Sequence, residues 1–469
     1  MKKHLVLFLL AGSGIVLLNG CISVGPDYER PETVMPDAWH EAVQEELASE
    51  EPNLQTWWTV FGDETLNGLI TKASTNNLDL KTASARIEQA AALRGVSASQ
   101  YWPDIVADGS AAAVKTGVPD YEGGAYQAGL SMAWELDLWG RVRRSVESAD
   151  ASLQASVENY RDILVVLYSD IAANYINVRT LQARIVFAEN NLKAQMETME
   201  LTKNRFDAGL VPALDVSQSQ LNSSRTESAI PPLKQLLVEA INRLSVLTGD
   251  MPYALLQALE APQPIPACTG THIARGLPAD LLRQRPDIRR AERELASQNA
   301  RIGATQADFY PTLTLPGTLA LQSLDGGDFF SSDNITYGFG PQLRWNIFNG
   351  KRIRNQVAAE EAGTQAALHD YEQTVLLALE EVEDSMAAYA NEQDRVQMLE
   401  TAAAAAEKSV ALVRELYKSG LTDFQNVLNM EQALLVQQDA LASSRGLIGL
   451  DLVGIYKSLG GGWVPSTEE

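Results

Sequence analysis

The sequence predicts a mainly α-helical protein with a transmembrane β part, built as a duplicated half-repeat. Three observations predict it. The first is that the chain says nearly the same thing twice. Tyr101-Trp102-Pro103-Asp104-Ile105 returns as Phe309-Tyr310-Pro311-Thr312-Leu313, and Trp134-Glu135-Leu136-Asp137-Leu138-Trp139-Gly140-Arg141 returns, one residue shorter, as Trp345-Asn346-Ile347-Phe348-Asn349-Gly350-Lys351. Arg205-Phe206-Asp207-Ala208-Gly209-Leu210 returns as Leu416-Tyr417-Lys418-Ser419-Gly420-Leu421. The offset stays between about 208 and 211 residues, which marks a duplicated domain half rather than a short solenoid unit. The second observation is a pair of very long helical patterns, and the third is a set of period-two segments between helices.

In chain order, Lys2, Lys3 and His4 precede an apolar run over 5–18, and Asn19-Gly20-Cys21 follows. A basic start, a short apolar core and a small residue before the cut fit a secretory signal peptide. The run is too short for a comfortable membrane span. Cys21 directly after the small residue resembles a bacterial lipobox, which makes Cys21 the lipidated first residue; an ordinary signal peptide with a chance cysteine is the other reading. Ile22 is not the aspartate that retains such lipoproteins at the inner membrane, so the resemblance implies anchoring to outer-membrane lipid. The remaining cysteine, Cys268, follows a Pro-rich stretch and reads as a loop cysteine.

A helix is expected over 64–100, and its counterpart over 286–308. Next the period falls to two. Tyr126, Ala128, Leu130, Met132, Trp134, Leu136 and Leu138 alternate with polar or small residues, as do Ile335, Tyr337, Phe339, Leu343, Trp345 and Ile347, with Pro341 as a candidate bulge. Leu313, Leu315, Leu319 and Leu321 mark one partner strand, and 105–114 a weaker one. This gives two β-hairpins and four strands. Segments of about ten residues with one apolar face are the mark of an outer-membrane barrel strand; a half-buried sheet in a soluble α+β protein has the same pattern.

From Arg141 apolar residues recur in steps of three and four through Val142, Val146, Leu153, Leu164, Ile171, Val178, Ile185, Leu192 and Met199, with no proline before Val211. A helix of roughly 65 residues is about 100 Å long at 1.5 Å per residue. The run after Gly350 repeats the pattern. Each meets a break, at Gly209-Leu210-Val211-Pro212 or Gly420-Leu421-Thr422-Asp423, and a second helix follows over 213–248 or 423–459. The resulting layout is a signal peptide (1–20), a lipidated extended segment (21–63), a first repeat (64–260, with β-hairpin 104–138 and helical hairpin 141–249), a linker (261–279), a second repeat (280–460, with β-hairpin 312–348 and helical hairpin 351–459) and a tail (461–469).

Geometry chooses among the readings of the strands. Four strands cannot enclose a membrane barrel, for which about eight is the practical minimum. Open sheet edges are not tolerated in lipid. If the strands span the membrane, several chains must share one barrel, and helices of about 100 Å must project beyond a core of about 30 Å as a tube.

Composition excludes more than it selects. A net charge of −23 argues against nucleic acid and is compatible with a water-filled interior favouring cations. Four scattered histidines give no metal spacing, and no nucleophile–base motif, phosphate loop or cofactor signature is present, so no catalytic residue, metal or cofactor is assigned and the chain is not read as an enzyme.

Several strings are more specific. They are Val24-Gly25-Pro26-Asp27-Tyr28, Trp57-Trp58-Thr59-Val60-Phe61-Gly62-Asp63, Leu277-Pro278-Ala279-Asp280, Arg285-Pro286-Asp287-Ile288, Phe309-Tyr310-Pro311 and Leu459-Gly460-Gly461-Gly462-Trp463. In this joint order the chain resembles the outer membrane factor family, the TolC- and OprM-like channels, and more narrowly the NodT-type efflux lipoproteins. The resemblance implies a homotrimer with a shared twelve-stranded β-barrel and a periplasmic α-barrel. It implies a passive gated conduit in the outer membrane, partnered by a periplasmic adaptor (membrane fusion) protein and an inner-membrane resistance-nodulation-division pump, exporting drugs, toxic organics or metal ions. It places the periplasmic gate just past the second break, at Asp423, Asn426 and Asn429, with Asp215 at the first-repeat position equivalent to Asn426. Relatives often carry aspartate where Asn426 and Asn429 stand, so an acidic ring here rests on Asp423. Asp423 is equally placed to cap the helix it precedes. The resemblance makes Gly209, Leu210, Gly420 and Leu421 the adaptor-contact tips. Two other readings remain at this stage: a type I protein secretion conduit, and a periplasmic coiled-coil lipoprotein without a pore.

Overall fold

The computed structural model describes residues 23–32, 54–118, 120–267 and 282–463. Cys21, the signal peptide and Cys268 lie outside the described residues. The chain divides into two compact units. One holds residues 23–32, Ala85–Glu158 and Arg289–Gln373; the other holds residues 54–84, 159–267, 282–288 and 374–463.

Element lengths repeat as the sequence does. Helix α1 spans Glu64–Asn76 and α2 Leu78–Ser99. Helix α3, Arg141–Asp207, has 67 residues, and α4, Ala213–Leu247, has 35. After a short α5 (Leu256–Leu259) and α6 (Pro286–Gln306), α7, Arg352–Lys418, again has 67 residues and α8, Phe424–Ser458, again 35. Pro231 and Pro232 sit inside α4 without ending it.

The expected helix over 64–100 is two helices. Asn77 divides them: its side-chain Oδ1 accepts from the amides of Asp79 (2.8 Å) and Leu80 (3.0 Å), which caps α2, and its Nδ2 donates to the Leu247 carbonyl at 2.9 Å. An asparagine that satisfies the first amides of a new helix competes with continuing the old one.

The strands form two sheets in the first unit. β1 (Asp104–Gly117), β2 (Asp120–Ala133), β5 (Gly317–Ser323) and β6 (Ile335–Phe339) lie in the order β1-β2-β5-β6, all antiparallel. β3 (Glu135–Leu136), β4 (Thr312–Thr314) and β7 (Gln342–Arg344) lie in the order β3-β4-β7. The two hairpins are therefore joined across the repeat by β2 and β5. Pro341 is not a bulge within one strand; with Gly340 it separates β6 from β7. On the neighbouring strand Pro316 falls between β4 and β5, because neither proline has an amide to give the ladder.

Register sorts the side chains by face. One row across the four strands is Ala107, Leu130, Leu319 and Tyr337, and the next is Ile105, Met132, Gly317 and Phe339. The opposite face carries Val106, Ser131, Thr318 and Gly338, then Asp108, Gly129, Ala320 and Thr336. The apolar face is uncovered in the single chain: Leu130, Leu319, Tyr337 and Phe339 are all exposed. A sheet with one bare apolar face and one polar face suits lipid on one side and water on the other. The 14-residue β1 and β2, at about 3.3 Å per residue, are long enough to cross the hydrocarbon core even when tilted. Among the described residues no helix is long and apolar enough to cross a membrane.

The repeat extends to side-chain detail. Trp134 donates its indole N–H to the Tyr101 carbonyl at 3.0 Å, and its equivalent Trp345 donates to the Phe309 carbonyl at 3.0 Å.

The two faces differ in their tolerance of charge. Leu130→Arg should reduce the protein recovered in outer membranes, at a cost of about 2–4 kcal/mol near the midplane. Ser131→Arg, one residue along on the polar face, should insert like the parent. Quantifying both in fractionated membranes checks the assignment; equal insertion of the two variants contradicts it.

Candidate functional site

The second unit carries both helix breaks, and they are built alike. At the first, Gly209 (φ +73°) donates its amide to Phe206 O at 2.8 Å and Leu210 donates to Arg205 O at 2.9 Å. At the second, Gly420 (φ +72°) donates to Tyr417 O at 3.0 Å and Leu421 to Leu416 O at 2.9 Å. This is the Schellman pattern, which satisfies the last carbonyls of a helix and places a left-handed residue just past its end. Glycine takes that conformation without penalty. The two leucines do not fold back onto their helices: Leu210 is 66% and Leu421 75% exposed.

The candidate gate residues follow the second turn. Asp423 occupies the N-cap position of α8 with extended backbone, yet its side chain makes no cap hydrogen bond. Asp423, Asn426 and Asn429 are all exposed, while Phe424 and Val427 between them are buried. Asn426 Nδ2 donates to Thr422 Oγ1 at 2.9 Å, and Asn429 Oδ1 accepts from Gln425 Nε2 at 3.0 Å. Asp215, in the first turn of α4, comes from the other repeat. Its carboxyl is held above the usual carboxylate range, first by burial and then by the negative charge of Asp423. The fold thus brings Asp215 and Asp423 within each other's field, while Asn426 and Asn429 bond along α8.

Beside these residues lies a set that sequence reasoning missed. Val413, Tyr417, Phe424 and Val427 form a small buried cluster, with Tyr417 and Phe424 edge to face at 5.7 Å. Arg205 of the first break lies over the Tyr417 ring at 4.7 Å and donates to the carbonyls of Tyr417 and Lys418 at the end of α7. A guanidinium on the last carbonyls of a helix meets the negative end of its dipole. Glu431 is only 3% exposed. Its carboxylate accepts from Arg414 Nη2 (2.7 Å) and Nε (3.1 Å) on α7, Thr198 Oγ1 (2.9 Å) on α3 and Asn222 Nδ2 (3.1 Å) on α4. One buried acid on α8 therefore ties together all four long helices. The signal was present: Phe424, Val427, Glu431 and Leu434 fall at steps of three, four and three, so a glutamate occupies the buried phase.

The signature strings have structural work. Arg285 donates to the Ser458 carbonyl (2.6 Å), to Glu381 (2.8 Å) and through both arms to Asp287 (3.0 and 2.7 Å). Gly462 N donates to Leu54 O at 2.7 Å, and buried Trp57 stacks on Tyr456 at 5.3 Å. In the first unit Arg144 donates to Asp27 at 2.7 Å and to the carbonyls of Val24 (3.2 Å) and Gly25 (3.3 Å). A β-carbon on Gly25 would collide with the backbone of Gly303, so this contact demands glycine. Tyr28, partly buried beside Glu292, has its phenol pushed up to about 12, chiefly by burial. Among the described residues no group of His, Cys, Asp and Glu could hold a metal ion.

Two outcomes follow from this geometry. Arg414→Ala leaves the Glu431 carboxylate without its guanidinium and should destabilise the helix ends by about 1–3 kcal/mol; faster amide exchange confined to the residues around both glycine turns checks it. Asp215→Asn should stabilise the fold at neutral pH. The parent's carboxyl is raised in the folded state, so its ionised form disfavours folding at high pH and protonation relieves this as pH falls. The melting-temperature gain of the variant should therefore shrink on acidification and disappear below the ordinary carboxylate range.

Comparison with known proteins identifies the architecture. The family model described as "Outer membrane efflux protein" matches residues 69–250 and 277–461. Nodulation protein T of Rhizobium leguminosarum bv. trifolii is 31% identical over 434 residues, covering 91% of each chain. The solvent efflux pump outer membrane protein SrpC of Pseudomonas putida is 29% identical over 475 residues, covering 96% of this chain and 97% of its own. The solved structure of the outer-membrane channel OprN superposes with a TM-score of 0.86 at 34% identity, over 94% of this chain and 100% of that one. With most of its length matched in sequence and in fold, the chain belongs to the outer membrane efflux protein family.

Proposed function

We propose that three copies of this chain close one β-barrel in the outer membrane and one helical conduit below it, and that the assembly is the passive exit duct of a tripartite efflux system. The observation that carries the reading is the sheet β1-β2-β5-β6, apolar on one face and open at both edges. In lipid those edges require partners, and a neighbouring copy supplies the complementary edge. The driving energy comes from an inner-membrane pump of the resistance-nodulation-division kind through a periplasmic adaptor. Lipid on Cys21 is a supplementary tether. The cargo is small compounds: relatives are named for solvent efflux and, in Escherichia coli, for cation efflux. Those names support small-molecule export over a protein secretion conduit.

In this reading Leu210 and Leu421, presented bare beside Gly209 and Gly420, are the contacts for the adaptor. Asp423, Asn426 and Asn429, repeated around a threefold axis with Asp215, form the constriction. The Glu431 cluster and Arg205 hold the helix ends that carry it.

Native mass spectrometry of the detergent-extracted protein should give a trimer; a stable monomer in membranes contradicts the assembly. In planar bilayers the parent should show a small, cation-preferring conductance. Asn426→Ser with Asn429→Ser should raise the conductance, and Asp423→Asn should lower the cation preference. If all three substitutions leave conductance and selectivity unchanged, the constriction lies elsewhere.

A further inference from the structure

In the first unit, α2, α3 and α6 border a cleft of about 490 Å³. That is within the size range of small-molecule sites. Its lining includes Arg86 and Arg94 from α2 and Arg301 from α6, and not one carboxylate, in a chain whose Asp and Glu outnumber Lys and Arg 60 to 37. Arg94 is paired with Asp150 at 2.7 Å, outside the lining. Arg86 and Arg301 have no ion-pair partner among the described residues; Arg301 makes one long hydrogen bond, Nε to Ser148 Oγ at 3.4 Å. The floor is a run of hydroxyls on α3, including Ser145, Ser148 and Ser152. Ser148 and Ser152 are each 2.9 Å from Ser297 of α6. Leu93 supplies an exposed apolar patch at the rim.

We propose that this cleft binds a small oxyanion, a phosphate- or carboxylate-bearing solute, on the wall that faces the conduit. Two guanidinium groups without an ion-pair partner, in one cleft with a hydroxyl floor, match such groups, because the planar fork of arginine pairs bidentately with phosphate and carboxylate. The apolar rim accommodates an organic body.

The placement comes from α6. Gly303 lies against Gly25, and Asn299 Nδ2 donates to Pro26 O at 3.3 Å, so that face of α6 carries the N-terminal segment. Arg301 is two residues from each, about 200° around the helix. Ser23, packed at Gly140, is two residues from Cys21, so within about 7 Å of it along the chain. A lipid on Cys21 inserts in the bilayer outside the barrel, which puts residues 23–26 on the outer wall and Arg301 on the inner one. The placement rests on the channel reading and on that lipid; the anion chemistry of the cleft rests on neither. In the threefold assembly the site occurs three times, as a basic girdle inside an acidic protein, and holds an anionic cargo that would otherwise be repelled.

The test uses the full-length trimer and inorganic phosphate. Isothermal titration should show phosphate binding that weakens with ionic strength and is at least about tenfold weaker in Arg86→Gln/Arg301→Gln, with Arg86→Lys/Arg301→Lys recovering part of it. In planar bilayers, phosphate should reduce the parent's open-channel current more than the variant's. A trimer that opens no channel defeats the functional reading, whereas a working channel whose phosphate binding is equal in parent and variant overturns this proposal. If the variant binds phosphate normally but dissociates more readily, the arginines are subunit contacts and the site is refuted. If the variant loses binding to phosphatidylglycerol vesicles while phosphate block is unchanged, the cleft faces lipid and the inner-wall placement is overturned.

Discussion

A four-stranded sheet with one bare apolar face has two edges, and in a bilayer neither can stay open. Each unpaired amide or carbonyl in hydrocarbon costs several kcal/mol, so a strand as long as β1, at 14 residues, cannot present one side of its backbone to lipid. The chain solves part of this internally. β2 of the first hairpin pairs with β5 of the second over seven residues, from Tyr126↔Ser323 to Met132↔Gly317, which turns two ribbons into one sheet. What remains is one free side each on β1 and β6. In the proposed trimer, closing these edges and entering the bilayer answer the same backbone constraint in this outer-membrane efflux channel protein. The duplication has the same logic: a second hairpin of the same register and the same Trp-to-carbonyl bond doubles the arc each chain contributes.

The second unit faces the opposite problem. Its helices lie in water, where backbone needs are met within each helix and apolar packing alone gives little choice of register. Buried polar groups supply that choice. Glu431 has partners on α3, α4 and α7, and sliding any of those helices by one turn would cost its buried carboxylate one of those partners. Arg184 with Asp439 (2.7 and 3.1 Å) and Asn191 with Gln438 (2.6 Å) fix α3 against α8 in the same way.

How much of this was legible depends on the range of the interaction. The alternation around Leu130 and Phe339 was plain because a half-lipid sheet needs every second residue apolar, and the glycine turns were plain because few residues tolerate φ near +70°. The break at Asn77 was not, since a cap disguised within a continuous helical pattern is recognised only by the amides it serves. Neither was the pairing of Trp57 with Tyr456, or of Gly25 with Gly303: these contacts join residues hundreds of positions apart, and periodicity carries no information about partners. The signature strings could be recognised in sequence without their purpose being readable, which is to lock the N-terminal segment onto α3 and α6 and the C-terminal glycines onto residues 54–57. Asp423 was open between cap and gate; its side chain makes no cap bond and is exposed to solvent.

The helix ends show where duplication has given way to division of labour. Asp215 in the first repeat stands where Asn426 stands in the second, Arg205 where Leu416 stands, and Pro212 where Asp423 stands. These exchanges are linked. Arg205 reaches across to the carbonyls closing α7, and Asp215 feels Asp423, so each first-repeat charge acts on the second-repeat turn. One contact attracts and the other repels. The arginine ties the turns together while the carboxylates push the starts of α4 and α8 apart, a repulsion that weakens when Asp215 takes up a proton. Two symmetric turns could hold themselves rigidly without such a balance. The asymmetric pair sets this repulsion against the contacts of Arg205 and of the Glu431 cluster, which hold the same helix ends together.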